Sequence, residues 1–180
     1  EFGAGSGALA DTIIRYFDGK ISPKNFNYYI IEPSPYLSKR QKMRLSKINS
    51  QLVEKVKWRV TFPNEGFFGV AIANEVFDAM PARRFTIRHG EIQELGVAYD
   101  GENFVWRLKE SSVIPDLIRD RMMNYPEGYI AEHIEGQITW FEQLKKFFDS
   151  GVLLVADYGY VDKEFVHLDR CDGTLRCYFQ

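Results

Sequence analysis

Three apolar runs, YYII at 28–31, GVAIA at 69–73 and VLLVA at 152–156, constrain the fold of this 180-residue chain more than any other feature. They are continuous and rich in β-branched residues, the pattern of strands covered on both faces in a parallel sheet flanked by helices. Each run ends on a polar side chain: Glu32, Asn74 and Asp157. Ligands of open parallel sheets bind beyond the carboxyl ends of the strands, so these three side chains are expected to converge on one crevice.

The segments between the runs have helical spacing. After Glu32, Pro33 and Pro35 mark a turn, and Leu37, Leu45, Ile48, Leu52 and Val56 recur on one face. Lys39, Arg40, Lys42, Arg44 and Lys47 fall largely elsewhere, as a solvated helix face or, alternatively, an anion- or protein-docking surface. A second helix is expected from about Ile130 to Phe148, with Ile134, Ile138, Phe141, Leu144 and Phe148 buried and Gly151 ending it before the next strand. From 85 to 110 the pattern changes. FTIRHGEIQELGVAYDGENFVWRL alternates apolar and polar residues around His89-Gly90 and Asp100-Gly101, which predicts an antiparallel meander of three strands inserted into the α/β framework. Such an insertion either shapes substrate access or serves as a structural flap. No repeat or linker divides the chain, so 1–180 reads as a single domain.

Composition narrows the function classes. At 45% hydrophobic and 15% aromatic the chain can bury a sizeable core. No apolar run approaches the ~20 residues that span a bilayer, no leader pattern is seen, and a net charge of −2 gives no bulk attraction to nucleic acid or anionic membrane. Cys171 and Cys177 flank Asp172-Gly173, a hairpin turn that would place Cys171 opposite Thr174 and Cys177 opposite Leu168, so two reduced thiols are expected. Further ligands at metal-binding spacing are lacking, and no metal is expected.

The chain opens EFGAGSG. Gly3, Gly5 and Gly7 form a G-x-G-x-G turn where backbone can approach a nucleotide-bearing ligand without a Cβ clash, and ALADTIIRYF follows as a helix with Ile13, Ile14 and Phe17 for packing. The turn lacks the G-x-G-x-x-G step that presents a helix N-terminus to a pyrophosphate, which disfavours a nicotinamide-dependent oxidoreductase. Glu32, 25 residues past Gly7 (32 − 7), closes the next strand, where a carboxylate can accept both ribose hydroxyls. A ribose site without a required pyrophosphate site points to S-adenosylmethionine. Glu1 would then lie below the methionine amino group.

EFGAGSGALA, YYIIEPSPYLSKRQ, ANEVFDAMPARRF, GVLLVADYGY and DGTLRCYFQ, in this order, resemble the MidA-like methyltransferases, whose mitochondrial member is a complex I assembly factor that methylates arginine on a partner subunit. The resemblance implies a class I methyltransferase fold: a Rossmann-like, mostly parallel seven-stranded sheet with helices on both faces. It implies S-adenosylmethionine as cofactor, with Glu1, Gly3, Gly5 and Gly7 matching the first cofactor motif and Glu32 the ribose-binding acid. Asn74 and Glu75 fall where many class I methyltransferases line the transfer site, and Asp78 and Pro81 match the rest of that motif. Family members are considerably longer at both ends. The chain is therefore expected to be a fragment, or to have parts left out, and to leave a gap in the middle of its sheet.

These expectations assign a mechanism. A guanidinium is a poor nucleophile because it is protonated, and a carboxylate pair can hold it and disperse charge as the methyl arrives. Glu75 and Asp78 are the candidates, with Asn74 positioning by hydrogen bonds; the alternatives are a helix-start carboxylate for Glu75 and a cap or ion-pair partner of Arg83 or Arg84 for Asp78. Asp157 either contacts substrate or fixes the next loop. Glu132 and His133 are weaker candidates from the helix side. Trp58, Trp106 and Trp140 read as core, although Trp58 could flank the adenine. The reading is a protein-arginine methyltransferase acting on a protein partner, in a bacterial cytoplasm or alternatively a mitochondrial matrix. Its rival is a non-catalytic, cofactor-binding assembly factor of a respiratory complex.

Overall fold

The computed structural model describes residues 1–63, 66–110, 113–165 and 167–176. In chain order the elements are α1 (Ala8–Phe17), β1 (Tyr28–Ile31), α2 (Pro35–Leu45), β2 (Val56–Arg59), β3 (Phe67–Asn74), β4 (Arg83–Arg88), β5 (Glu91–Tyr99), β6 (Phe104–Leu108), α3 (Asp116–Met122), β7 (Ile130–His133), α4 (Gly136–Phe147), β8 (Phe148–Ala156) and α5 (Asp162–Phe165). They divide into two compact units, Glu1–Ala79 with Ile138–Tyr158, and Met80–Gln137 with Gly159–Gln180.

The first unit is the α/β framework that the apolar runs predict. β1 pairs in parallel with β2, and β3 in parallel with β8. Phe2 joins the two pairs by parallel bridges to both Ile31 and Ala73. Its N–H donates to the Ile72 carbonyl at 2.8 Å, and the Ile31 N–H donates to the Glu1 carbonyl at 2.9 Å. All four strands therefore run the same way, and their carboxyl ends, carrying Glu32, Asn74 and Asp157, lie along one edge. Between β1 and β3 a cavity of about 60 Å³ is lined by Glu1, Tyr29, Phe67 and Ala71 among others.

α1 spans the ALADTIIRYF segment and buries Ala10 and Ile14 against Ile30, Leu45 and Leu52. Burying an Ile or Leu side chain contributes about 1.5–3 kcal/mol, so this cluster dominates the packing of α1 and α2 on β1. The Asp11 carboxylate, in the first turn of α1, accepts from Arg44 of α2 at 3.0 Å. α2 is shorter than its apolar spacing predicts. It starts on Pro35, capped by the Ser34 hydroxyl accepting from the Leu37 N–H, and stops at Leu45. Ser50 then caps a 3₁₀ turn over Gln51–Lys55, a local hydrogen bond that competes with helix continuation. Ile48, Leu52 and Val56 are buried as expected, but from a bend after α2, from this turn and from β2.

Coverage on both faces, expected of all three runs, is met at β1, and within residues 1–180 one face of the β3–β8 pair is covered. α4 packs its Trp140 on Phe2 and its Phe147 on Phe67, covering the odd-numbered face of β3, while Val70, Val152 and Leu154 are more than half exposed. The helix expected from about Ile130 is also corrected. Ile130–His133 pairs antiparallel with Arg83–Thr86, which buries Ala131, and α4 starts only at Gly136. Its buried residues are Trp140, Leu144 and Phe147, with Ile138 and Phe141 exposed.

The second unit contains the predicted meander: β4, β5 and β6 pair antiparallel in sequence, with His89 and Gly90 both at positive φ in the first turn. Phe85, Ile118, Met122 and Tyr129 form its core. Arg84 is buried, pairs with Glu132 at 3.1 Å and lies over the Trp106 ring, which is itself half exposed and so not a core residue. The hairpin predicted around Asp172-Gly173 is not formed on its amino-terminal side. Leu168–Arg170 is a 3₁₀ turn and Asp172 bridges to Ile130, whose N–H takes the Cys171 carbonyl at 2.8 Å. Cys171 is an exposed free thiol; Cys177 lies outside the described residues.

Glu94, buried in this unit, pairs with Arg83 at 2.6 Å and Lys109 at 3.0 Å. The Arg83 hydrogen bond, more than any other contact, pulls its carboxyl from 4.5 down to about 2. A carboxyl whose folded pKa is depressed stabilises the fold above its unfolded pKa and loses that contribution as pH falls through the folded value. At ~1.4 kcal/mol per pH unit, the loss between about pH 4.5 and 2 is roughly 2–3 kcal/mol. Urea unfolding of this unit is expected to weaken over that window, and Glu94→Gln should flatten the dependence.

Candidate functional site

The glycine turn begins where Phe2 leaves the sheet. The Gly3 N–H donates to the Ile31 carbonyl at 3.0 Å, and Gly3, Gly5 and Gly7 have φ of 59°, 50° and 75°. At Gly5 a side chain would be strained by about 1–2 kcal/mol, yet a Cβ there would meet nothing within 4 Å. The turn thus keeps bare backbone facing open space. At Gly7 the reason is packing, since a Cβ would come within 3.3 Å of Gln41 Cα on α2.

Glu32, 5% exposed at the end of β1, is held through both oxygens. Oε1 accepts from the Ser34 N–H at 3.0 Å and Oε2 from Gln41 Nε2 at 2.9 Å. Gln41 is fully buried; its Nε2 also donates to the Gly5 carbonyl at 3.1 Å, and its Oε1 accepts from Trp58 Nε1 at 3.1 Å. Sequence reasoning missed Gln41. The signal was available: it lies four residues from both Leu37 and Leu45, so a polar amide occupies the apolar stripe of α2.

Glu1, which the resemblance places with the glycines, accepts a hydrogen bond from the Tyr28 hydroxyl at 2.7 Å. Burial pushes its carboxyl above the ordinary range, against the lowering effect of that hydrogen bond.

At the end of β3, Asn74, Glu75 and Asp78 are all exposed. No helix starts here; the segment is a series of turns, so the helix-start alternative for Glu75 does not hold. Glu75 is a non-glycine residue with φ of 50°, a conformation that costs about 1–2 kcal/mol. Its N–H donates to the Ala156 carbonyl at 2.8 Å. Asp157 Oδ2 accepts from the Val76 and Phe77 N–H groups at 3.0 and 2.7 Å, and Oδ1 from the Tyr158 N–H at 2.9 Å. Hydrogen bonds to an ionised group contribute about 1.5–3 kcal/mol each, enough to offset the strain. Asp157 is thus a loop-fixing carboxylate. The next loop residue, Val76, stands 3.6 Å from where a Gly3 Cβ would be, so loop and glycine turn are neighbours. Behind both stands Trp140, with ring centroids 4.8 Å from Phe2 and 5.1 Å from Phe77.

In the second unit Glu132 and His133 lie on β7. Glu132 is committed to Arg84 and to the N–H and hydroxyl of Thr174, at 2.8 and 3.0 Å. Arg83 takes Glu94 and Glu135 as partners and Arg84 takes Glu132, so the ion-pair role offered for Asp78 goes to other residues. Among the described residues no group of three or more His, Cys, Asp or Glu is placed to hold a metal ion.

A sequence model of the family described as "Putative S-adenosyl-L-methionine-dependent methyltransferase" matches residues 1–180. The chain belongs to this methyltransferase family. Among solved structures it is similar to two from Burkholderia thailandensis, each 28% identical over 96% of this chain. One is bound to S-adenosyl-homocysteine, with a TM-score of 0.81 over 44% of its own length. The other is the native structure of an uncharacterized protein of the same superfamily, with a TM-score of 0.83 over 46%. A curated relative, the protein arginine methyltransferase NDUFAF7 homolog, mitochondrial, of Drosophila melanogaster, is 25% identical over 89% of this chain and 42% of its own. The chain thus spans less than half the length of these relatives.

The methyltransferase fold is that of an α/β protein with a parallel sheet, and the family's cofactor is S-adenosylmethionine. The residues present suit it: open space over a positive-φ glycine turn, and a buried carboxylate held at the neighbouring strand end.

Proposed function

We propose that the protein methylates arginine on a protein partner, using S-adenosylmethionine bound at Gly3, Gly5, Gly7, Glu32 and Glu1. In this reading the chain acts as one methyltransferase domain with the 85–110 meander inserted. The observation that carries it is the exposed, strained Glu75 loop seated beside the glycine turn. Two free-facing carboxylates, Glu75 and Asp78, next to a methyl donor site suit a cationic acceptor better than a neutral one. Asn74 adds an amide that can orient acceptor or donor. The arginine assignment draws on the name of the Drosophila relative.

Cofactor binding supplies an activated methyl group, and the residues do the rest by placement. The carboxylates hold the guanidinium, the acceptor nitrogen's lone pair forms the N–C bond as the C–S bond breaks, and the nitrogen's proton passes to a carboxylate or water. Among the described residues no helix is long and apolar enough to cross a membrane. The relatives come from a bacterium and a mitochondrion, and either a bacterial cytoplasm or a mitochondrial matrix suits this activity.

Calorimetric titration of the full-length protein with S-adenosylmethionine and S-adenosyl-homocysteine, followed by transfer of a radiolabelled methyl group to arginine-containing protein, tests the reading. Binding plus labelled methylarginine is expected. A folded protein that binds neither compound overturns it, and binding without transfer favours the non-catalytic assembly factor.

A further inference from the structure

We infer that Gln41 is a positioning residue of the cofactor crevice, tying the glycine turn and the ribose acid into one ligand-ready unit. The inference rests on the reading of Glu32 as the group that receives the ribose hydroxyls. Its warrant is the hydrogen-bond inventory of one buried amide. The Trp58 indole N–H can only donate, so the Gln41 atom facing it is Oε1, and Nε2 faces Glu32 and Gly5. Nε2 carries two N–H groups, and these two acceptors use both. Gln41 is fully buried, so bulk water is not on hand to replace it.

The contacts add buried polar ties between parts of the chain that the apolar core also joins. Glu32 ends β1, Gly5 is the middle glycine of the turn, Trp58 is on β2, and the Cα of Gln41 backs Gly7. Each Glu32 oxygen receives one protein donor, from Ser34 or Gln41, which fixes the carboxylate and leaves acceptor capacity for two hydroxyls. The Gly5 carbonyl, pinned from below, sets the direction of a peptide that borders open space. Gln41 touches neither the reacting atoms nor the acceptor loop. Its effect therefore falls on cofactor affinity, with turnover at saturating cofactor preserved.

The test is S-adenosyl-homocysteine titration of the full-length protein in a double-mutant cycle. Gln41→Met keeps most of the volume and removes every hydrogen bond. It is expected to weaken binding roughly 10- to 100-fold, the range of a lost hydrogen bond to a charged group. In a Glu32→Gln background the same substitution should cost less than about threefold, because the coupled partner has already lost its charge. KM for S-adenosylmethionine should rise while kcat stays within about twofold. Equal losses in both backgrounds, or a fall in kcat without a change in affinity, overturn the inference. If Gln41→Met does not fold, Gln41→Glu keeps the shape and sets a carboxylate against Glu32: a larger loss of binding in the wild-type background than in the Glu32→Gln background supports the coupling, and unchanged binding or equal losses overturn it. Glu32→Gln that binds like the wild type marks failure of the ribose assignment; impaired Glu32→Gln with normal Gln41→Met marks failure of the role given to Gln41.

Discussion

Glu32→Ala is expected to lower the affinity of the full-length protein for S-adenosyl-homocysteine by at least about 100-fold in a calorimetric titration. Two hydroxyl groups bound to one ionised carboxylate correspond to about 3–6 kcal/mol at 1.5–3 kcal/mol each, and alanine supplies neither acceptor. The variant also strands the donors that hold the carboxylate, the Ser34 N–H and the Gln41 amide. Their desolvation adds to the loss and acts on the glycine turn through Gly5. Wild-type affinity in this variant would remove the ribose from this strand end and with it the proposed orientation of the cofactor. The fold itself is expected to survive, since the Ser34 hydroxyl still caps α2.

If the proposed activity holds, Glu75→Gln is expected to lower kcat for arginine methylation about 100-fold or more and to leave cofactor affinity unchanged. Removing one electrostatic partner of the transition state typically costs 10²–10³ in rate. The substitution is clean because the backbone geometry at this position does not depend on the side chain. Its positive φ is held by the Ala156 carbonyl on one side and by Asp157, acting on Val76 and Phe77, on the other. A glutamine therefore presents the same shape in the same place without the charge. Full methylation by this variant would refute the guanidinium clamp and turn attention to Asp78.

Much of the framework was legible in the residues. The 28–31 run coincides with β1, ALADTIIRYF with α1, and the meander turns fall at the predicted glycines, because these signals are local: apolar continuity, period, and residues that tolerate positive φ. What was not legible depended on partners distant in sequence. Ile130–His133 has spacing compatible with the helix that follows, and only pairing with β4 makes it a strand. Leu52 and Val56 sit at helical intervals from Leu45 yet reach the same core from a 3₁₀ turn and a strand, since burial records the destination and not the route.

At the candidate site the same division between local and distant signals holds. Residues with a distinctive chemistry at a strand end, such as Glu32 and Asp157, could be singled out, although whether Asp157 met substrate or backbone required the geometry. Gln41 carries no charge and no motif, and its role follows only from three partners at positions 5, 32 and 58.

Trp140 touches Phe2 at the root of the glycine turn and Phe77 in the loop that carries Glu75. In the proposed function the alignment of methyl donor and acceptor loop is thereby referenced to an oily contact, whose strength ionic strength hardly changes and cooling weakens. Salt should loosen the grip on a cationic substrate long before it disturbs the aim, and cold should do the reverse, so the two ways of slowing such an enzyme are built into different layers of the same unit.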